Sequence, residues 1–345
     1  MSQADKEIDF EKIGEKERRL LAQCRVLVTP TSYGKNDPRL KSDLESCVSQ
    51  VVYNPYARPL KASELLSLIK DVDGYIAGLD DINQEVIEAA NRLKVIARYG
   101  VGVDRVDIQA ATGKKIAVTN TPGANSVAVA EMTLAFILAL ARQLCLVNED
   151  TKKGGWSRPE GLGLQGKTVG LFGFGAVGQE VALRLKGFGC RLLTYDPYVE
   201  PSRGDPLAVE FVSLDGLLSQ ADFVSLHAPL TAETAGIVNR VFLAKIKSGA
   251  FLINTARGEL IDESALVDAI QSGRLRGAAL DCFRQEPPER NHPLLAYPQV
   301  IVTAHVSAQT DQAVNRMGWM ALTSCLEVLM GKKPPQTVNP EVFQL

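Results

Sequence analysis

The feature that most constrains this chain is the string Gly173-Phe174-Gly175-Ala176-Val177-Gly178, a G-x-G-x-x-G. It lies between an apolar run, Thr168–Phe172, and a helical pattern, Ala176–Lys186. A second apolar run, Arg191–Tyr195, then ends in Asp196, 18 residues after Gly178. The spacing alone is weak, because 28 glycines in 345 residues will sometimes produce it in a turn that binds nothing. Strand, glycines, helix, strand and acid in that order are specific, because each part has a task. The first glycine allows a tight turn, the second lets backbone approach a pyrophosphate, and the third permits close helix–strand packing. The helix start then presents unpaired N–H groups to two phosphates. Asp196 would accept hydrogen bonds from both adenosine ribose hydroxyls and repel a 2′-phosphate. Pro197 and Tyr198 follow it, with no Arg to accept that phosphate. The turn, Asp196 and Pro197 therefore predict a site for NAD over NADP.

The pattern around this string is α/β. Short apolar runs at Arg25–Pro30, Gly74–Ala77 and Lys94–Ala97 alternate with helical patterns such as Ala62–Ile69 and Asn83–Asn91. From Lys167 the alternation becomes regular, with strands expected at Thr168–Phe172, Arg191–Tyr195, Phe223–His227, Phe251–Asn254, Gly277–Leu280 and Val300–Ala304. Helices fit between them, including Glu263–Ser272, and such alternation predicts parallel sheets covered on both faces. Residues 125–147 give the longest helical pattern, apolar on nearly all sides and so expected to be buried. Another helix is expected from beyond His305 to about Met330, and residues 1–23 read as an arm, helical from Asp9 to Gln23.

A length of 345 residues suits about two domains of roughly 150 residues each. Lys plus Arg is 38 and Asp plus Glu is 40, a net charge of 38 − 40 = −2, which argues against a nucleic-acid coat. With 46% hydrophobic and 23% charged residues the composition is that of a soluble globular protein. Val127–Leu144 is interrupted by Glu131 and Arg142 and makes a poor membrane span. No apolar signal segment follows Met1, and the six cysteines form no C-x-x-C pair. No metal site is expected, and a cytoplasmic location is.

Sheets of this class build sites at the carboxyl ends of their strands. Reading those ends here gives Arg257 after Phe251–Asn254, Asp281 and then Glu286 after Gly277–Leu280, and His305 after Val300–Ala304. Only three histidines exist, and His227 and His305 both sit at strand ends. Hydride transfer to a carbonyl carbon needs a proton donor for the oxygen, which imidazole supplies near neutral pH. A neighbouring carboxylate orients the ring and favours its charged form. Arg offers a planar fork for a substrate carboxylate. Each residue alone has an ordinary structural explanation; together, beside a dinucleotide turn, they describe a reaction site.

These residues resemble the D-isomer-specific 2-hydroxyacid dehydrogenase family, and within it the phosphoglycerate-dehydrogenase-like members. The matching strings are Arg98-Tyr99-Gly100-Val101-Gly102-Val103-Asp104, Asn120-Thr121-Pro122-Gly123, the Gly173 turn, His227-Ala228-Pro229-Leu230-Thr231, Asn254-Thr255-Ala256-Arg257-Gly258, Ala279-Leu280-Asp281 with Glu286-Pro287, and Thr303-Ala304-His305. The resemblance implies that Arg257 binds and polarises a small 2-oxo acid and that His305 is the acid–base residue, paired with Glu286. It implies that Asp281 binds the nicotinamide carboxamide, and that His227, Ala228, Pro229, Thr255, Ala256 and His305 line the nicotinamide pocket. The substrate carboxylate is expected on the Tyr99–Gly102 loop, at the Val101 and Gly102 amides.

The resemblance also implies two doubly wound domains. A Rossmann NAD-binding domain, residues 120–307, is expected inside a flavodoxin-like substrate domain of residues 24–119 and 308–345. A homodimer is expected through the helix starting near Asn125, with no membrane or nucleic-acid partner. An NAD(H)-responsive corepressor-like binding protein is the alternative, as is a dehydrogenase for a non-phosphorylated, phosphono or sulfo 2-hydroxy acid. Relatives acting on 3-phosphoglycerate carry basic residues where this chain has Gly78-Leu79-Asp80-Asp81, and regulation through a carboxy-terminal domain is not expected.

Overall fold

The apolar runs become strands of two all-parallel sheets, one in each of two units. The computed structural model describes residues 8–344, so the first seven residues of the expected arm lie outside the described part. One unit comprises the chain up to Asn125 and from Thr310 onward; the other is Ser126–Gln309. The sequence pattern put these junctions a few residues earlier.

In chain order the first unit contains α1 (Glu15–Leu21), β1 (Arg25–Val28), α2 (Arg39–Cys47), β2 (Gln50–Tyr53), α3 (Ala62–Leu68), β3 (Gly74–Ala77), α4 (Gln84–Ala89), β4 (Val95–Arg98), α5 (Ile108–Gly113) and β5 (Ala117–Thr119). Its strands pair in the order β2-β1-β3-β4-β5, all parallel. That is the flavodoxin-like order, whose chain direction switches between β1 and β3. β3 and β4 are buried along their whole lengths, as a sheet covered on both faces requires. Side-chain oxygens start the helices: Asn83 accepts from the Val86 amide at α4 and Asp107 from the Ala110 amide at α5.

The second unit holds α6 (Ser126–Ala141), α7 (Leu144–Lys152), β6 (Thr168–Phe172), α8 (Ala176–Leu185), β7 (Arg191–Tyr195), β8 (Val209–Phe211), α9 (Leu214–Gln220), β9 (Phe223–Leu226), α10 (Arg240–Lys245), β10 (Ala250–Asn254), α11 (Glu263–Gln271), β11 (Leu275–Leu280) and β12 (Val300–Val302). The chain then returns to the first unit as α12 (Asp311–Leu329). The second sheet runs β12-β11-β10-β9-β6-β7-β8, parallel throughout. This is the Rossmann order, with its switch point between β6 and β9. One face is covered by a core that includes Phe136 and Ile137 of α6 and Val181 of α8. The other is covered by Leu217 of α9, Phe242 of α10 and Leu266 of α11.

Two sequence expectations change. The single helix over 125–147 is two helices, broken where Gln143 takes a left-handed φ of +52°. The Leu162 amide bonds to the Ala141 carbonyl at 2.7 Å there, giving the end of α6 a partner from outside the helix. Apolar periodicity cannot register one left-handed residue. The strands β2, β5 and β8 were not singled out in the sequence; all three lie at sheet edges, and β2 and β8 are only partly buried. No single described helix is long and apolar enough to cross a membrane. The pair α6–α7 meets that test only jointly, across a 63° bend.

Candidate active site

The phosphate-type turn divides its tasks among its three glycines. Gly173 has φ +102°, and a Cβ there would lie 2.8 Å from the Ala228 amide nitrogen. A Cβ on Gly178 would lie 2.4 Å from the Gly173 carbonyl oxygen, so the absence of a side chain lets α8 close onto the turn. A Cβ on Gly175 would meet nothing within 4 Å. That open face lies at the start of α8, where Ala176 and Val177 form the first turn. Phe174 is fully buried and packs edge-on against Phe211 at 5.4 Å, which anchors the turn.

Asp196 leaves the end of β7 and is oriented by the turn itself. Its Oδ2 accepts from the Phe174 amide at 2.8 Å and its Oδ1 from the Tyr198 amide at 2.9 Å, across Pro197. Each oxygen keeps a further lone pair. An open glycine face at a helix start and a fixed carboxylate at the neighbouring strand end fit the dinucleotide expected from the sequence. Opposite the turn, His227-Ala228-Pro229 follows β9, and the His227 amide bonds to the Phe172 carbonyl at 2.8 Å. Both His227 ring nitrogens are shielded from solvent without a hydrogen-bond partner among the described residues. Although the residue as a whole is only partly buried, burial of the ring pushes its pKa down to about 3, so the ring is neutral at pH 7.

The other predicted residues share the carboxyl edge of this sheet. After β10, fully buried Asn254 clamps the next turn: its Oδ1 accepts from the Ala256 amide at 3.0 Å and its Nδ2 donates to the Arg257 carbonyl at 2.7 Å. Thr255 Oγ1 lies 3.1 Å from Thr133 Oγ1 of α6. Arg257 bonds through Nη1 to the Ala256 carbonyl at 2.7 Å. After β11, Asp281 is 1% exposed and its carboxylate collects three donors. Thr303 Oγ1 (2.5 Å) and the Val306 amide (2.9 Å) meet Oδ1, and the Ser307 amide (2.8 Å) meets Oδ2. The His305 amide bonds to the Asp281 carbonyl at 2.7 Å.

Asp281 thus holds the turn on which His305 stands, and His305 itself has φ +53°, an uncommon conformation for a side-chain-bearing residue. Its Nδ1 lies 2.9 and 3.0 Å from the two oxygens of Glu286. An ionised carboxylate only accepts, so Nδ1 carries a proton and Nε2 is the atom left to exchange one.

In the first unit, the turn after β4 is tied down by its acceptors. Arg98, 3% exposed, donates to the Gly102 and Ala77 carbonyls, both at 3.1 Å, and Asn120 Nδ2 donates to the Val101 carbonyl at 2.8 Å. Among the described residues neither the Val101 nor the Gly102 amide donates to a backbone carbonyl. The Tyr99 side chain was expected near substrate; its ring is buried and its hydroxyl donates to the Val314 carbonyl at 2.7 Å, so it anchors the Gly100–Gly102 turn to α12. Asp80 after β3 is fully buried. Its carboxylate accepts from the Leu60 amide (2.6 Å), Tyr75 hydroxyl (2.9 Å), Gly78 amide (3.0 Å) and Thr29 hydroxyl.

Sequence reasoning named Asn254 and Asp80 only within strings and gave neither a part in holding its turn. An Asn closing a buried strand before a turn is a detectable signal, because its side chain can bond the backbone two and three residues on. The donors that meet at Asp80 could not all have been foreseen, since Thr29 and Leu60 come from segments distant in sequence.

Residues 134–307 match the family model described as D-isomer specific 2-hydroxyacid dehydrogenase, NAD binding domain. The chain is 42% identical over 315 residues to a glyoxylate reductase of Thermofilum pendens, covering 88% of this chain and 92% of that one. It is 41% identical over 307 residues to a D-3-phosphoglycerate dehydrogenase of Methanocaldococcus jannaschii, covering 88% of this chain but 58% of that protein. The solved structure of the TT0316 protein from Thermus thermophilus superposes with a TM-score of 0.81 at 41% identity, covering 91% of this chain and 99% of that one.

Proposed function

From the premise that this chain belongs to the D-isomer specific 2-hydroxyacid dehydrogenase family, we propose that it is an NAD-dependent oxidoreductase interconverting a small 2-oxo acid and a D-2-hydroxy acid. The observation that carries this reading is the Glu286–His305 contact of 2.9 Å on the same sheet edge as the open Gly175 turn.

NAD, when bound, supplies the hydride donor or acceptor. Gly173 to Gly178, Asp196 and Pro197 hold its pyrophosphate and adenosine ribose; His227, Ala228, Pro229, Thr255, Ala256 and Asp281 line its other end. The neutral His227 ring adds no charge there. In the reducing direction His305 Nε2 gives a proton to the substrate oxygen, and Glu286 stabilises the ring while it is charged. In the oxidising direction the same nitrogen takes that proton back. Arg257 orients the acid through its guanidinium. The Tyr99–Gly102 turn offers amides of the kind that bind carboxylates. Self-association as a homodimer belongs to the same proposal and is placed on the second unit, where Leu144 and Trp156 are 60% and 76% exposed.

Among 2-oxo acids, the unphosphorylated ones fit best. Of the cations Arg58, Lys61 and Arg98, the last is buried on two carbonyls and Arg58 is paired with Glu64 at 2.6 Å, which leaves the exposed Lys61 to meet a phosphate. An NADH-oxidation panel of hydroxypyruvate, glyoxylate, pyruvate, oxaloacetate, a branched 2-oxo acid and 3-phosphohydroxypyruvate tests both statements. Turnover is expected, fastest on an unphosphorylated member. His305→Gln should lower kcat by about 10²–10⁴-fold while leaving NADH affinity near wild type. Failure of every panel member to consume NADH refutes the activity.

A further inference from the structure

Beside the His305–Glu286 pair lies a second carboxylate–imidazole pair, and the two meet at the neighbouring peptides on either side of Phe283. Glu263 is the first residue of α11, started by Asp262, whose Oδ1 accepts from the Ser264 and Ala265 amides at 3.0 and 3.2 Å. Glu263 Oε1 accepts from the Arg284 amide at 3.1 Å, and its Oε2 lies 3.2 Å from His292 Nε2. The His292 ring stands edge-on to Phe283 at 5.5 Å. One residue before Arg284, the Phe283 amide donates to Glu286 Oε1 at 3.2 Å, the oxygen that also meets His305. Two consecutive amides therefore donate to two different carboxylates, Glu286 and Glu263. The Phe283–Arg284 peptide, whose N–H meets Glu263, is also closed by Gly258, where a Cβ would lie 2.0 Å from the Phe283 carbonyl carbon and 2.3 Å from the Arg284 nitrogen. Gly258 directly follows Arg257.

We propose that Glu263 is a positioning residue: by holding the Phe283–Arg284 peptide between Gly258 and its own carboxylate, it fixes Glu286 on His305 and sets the spacing of that pair from Arg257. The inference rests on the acid–base reading of Glu286 and His305. Glu286 accepts from the Phe283 amide, which is joined through the Phe283 Cα to the Phe283–Arg284 peptide that Gly258 abuts. Glu263 supplies the opposing restraint, itself steadied by His292. Released from Glu263, the Phe283–Arg284 peptide can swing away from Gly258, and rotation about the Phe283 backbone then moves the amide from which Glu286 accepts. A shift on the order of 1 Å at a reacting group can lower turnover about 100-fold without touching substrate or cofactor contacts.

The test compares three variants of the full chain with wild type on the best substrate of the panel. Glu263→Gln keeps an oxygen acceptor for the Arg284 amide. Glu263→Asp keeps the charge in the first turn of α11 but withdraws it by one methylene, and Glu263→Ala removes both. The expected result is a kcat lowered about 10-fold or more in Asp and Ala but close to wild type in Gln. The KM for NADH, NADH binding by fluorescence titration and Tm should stay near wild type in Asp and Gln. If Ala does not fold, the ordering of Asp and Gln decides. Wild-type kcat in Asp, a Gln variant as slow as Asp, or a parallel fall of kcat, NADH binding and Tm in Asp would each overturn the proposal. A wild-type protein silent across the panel would sink the underlying activity and this inference with it. Turnover in wild type with no response to Glu263 sinks the inference alone.

Discussion

A methyl group added at Gly178 would sit 2.4 Å from a carbonyl oxygen, whereas one added at Gly175 would meet open space. Two glycines three positions apart thus stand in different surroundings, close packing in one case and an open face in the other. Gly178→Ala forces backbone to move and is expected to cost about 1–3 kcal/mol of stability. Gly175→Ala keeps a permitted φ of −71° and should leave Tm close to wild type while weakening NADH binding, because the methyl stands where phosphate approaches. Thermal melts and NADH titrations of both variants check the contrast; equal loss of stability in the two would contradict it. The roles of these residues were legible in the string itself, since steric demands of a turn act between near neighbours. The left-handed φ of His305 was not legible, because it is held by groups from a different strand end.

At the scale of elements, the turns after β10, β11 and β12 form one braced edge. Asn254 and Asp281 are buried polar residues at successive strand ends, and each satisfies backbone groups of a turn that carries a residue of the proposed site. Asp281→Ala leaves the Val306 and Ser307 amides and the Thr303 hydroxyl without their acceptor. Buried donors left unmet cost about 1–3 kcal/mol each, so urea unfolding should show a loss on the order of 3 kcal/mol. Because His305 stands on that turn, kcat should fall more than NADH affinity. An Asp281→Ala protein of unchanged stability and turnover would show that the turn holds itself. The pattern of apolar runs located these strands to within a residue or two, and the family resemblance gave Asp281 a role toward the cofactor only. Its bonds to residues 303, 306 and 307 depend on β12 lying beside β11, a fact of strand order.

For the whole molecule, the second unit is one continuous segment with a core on each face of its sheet. It is therefore expected to fold by itself. A protein of residues 120–310 should bind NADH and turn over none of the panel acids, since the Tyr99–Gly102 turn belongs to the other unit. The same fragment should sediment as a dimer if Leu144 and Trp156 lie in the subunit contact. A monomeric or unfolded fragment in analytical ultracentrifugation counts against this division of labour. The first unit is closed by α12, whose Leu322, Cys325 and Leu326 are fully buried; a Cβ on Gly74 of β3 would come within 2.8 Å of Cys325 Sγ. Its fold therefore requires the far end of the chain.

The linear order of residues was enough to determine the class of fold, the dinucleotide turn with its acid, and the four polar residues that leave strand ends together. Those signals are local: apolar periodicity, glycine sterics and the chemistry of a turn act over a few residues. Tertiary structure alone decided which carboxylates are committed inside the protein. Asp80 gathers donors as far away as Thr29, Tyr99 anchors to Val314, and the consecutive Phe283 and Arg284 amides donate to Glu286 and to Glu263 of α11. A buried carboxylate is stabilised by whichever donors the packed chain brings to it, and that assembly does not exist until the sheets have formed.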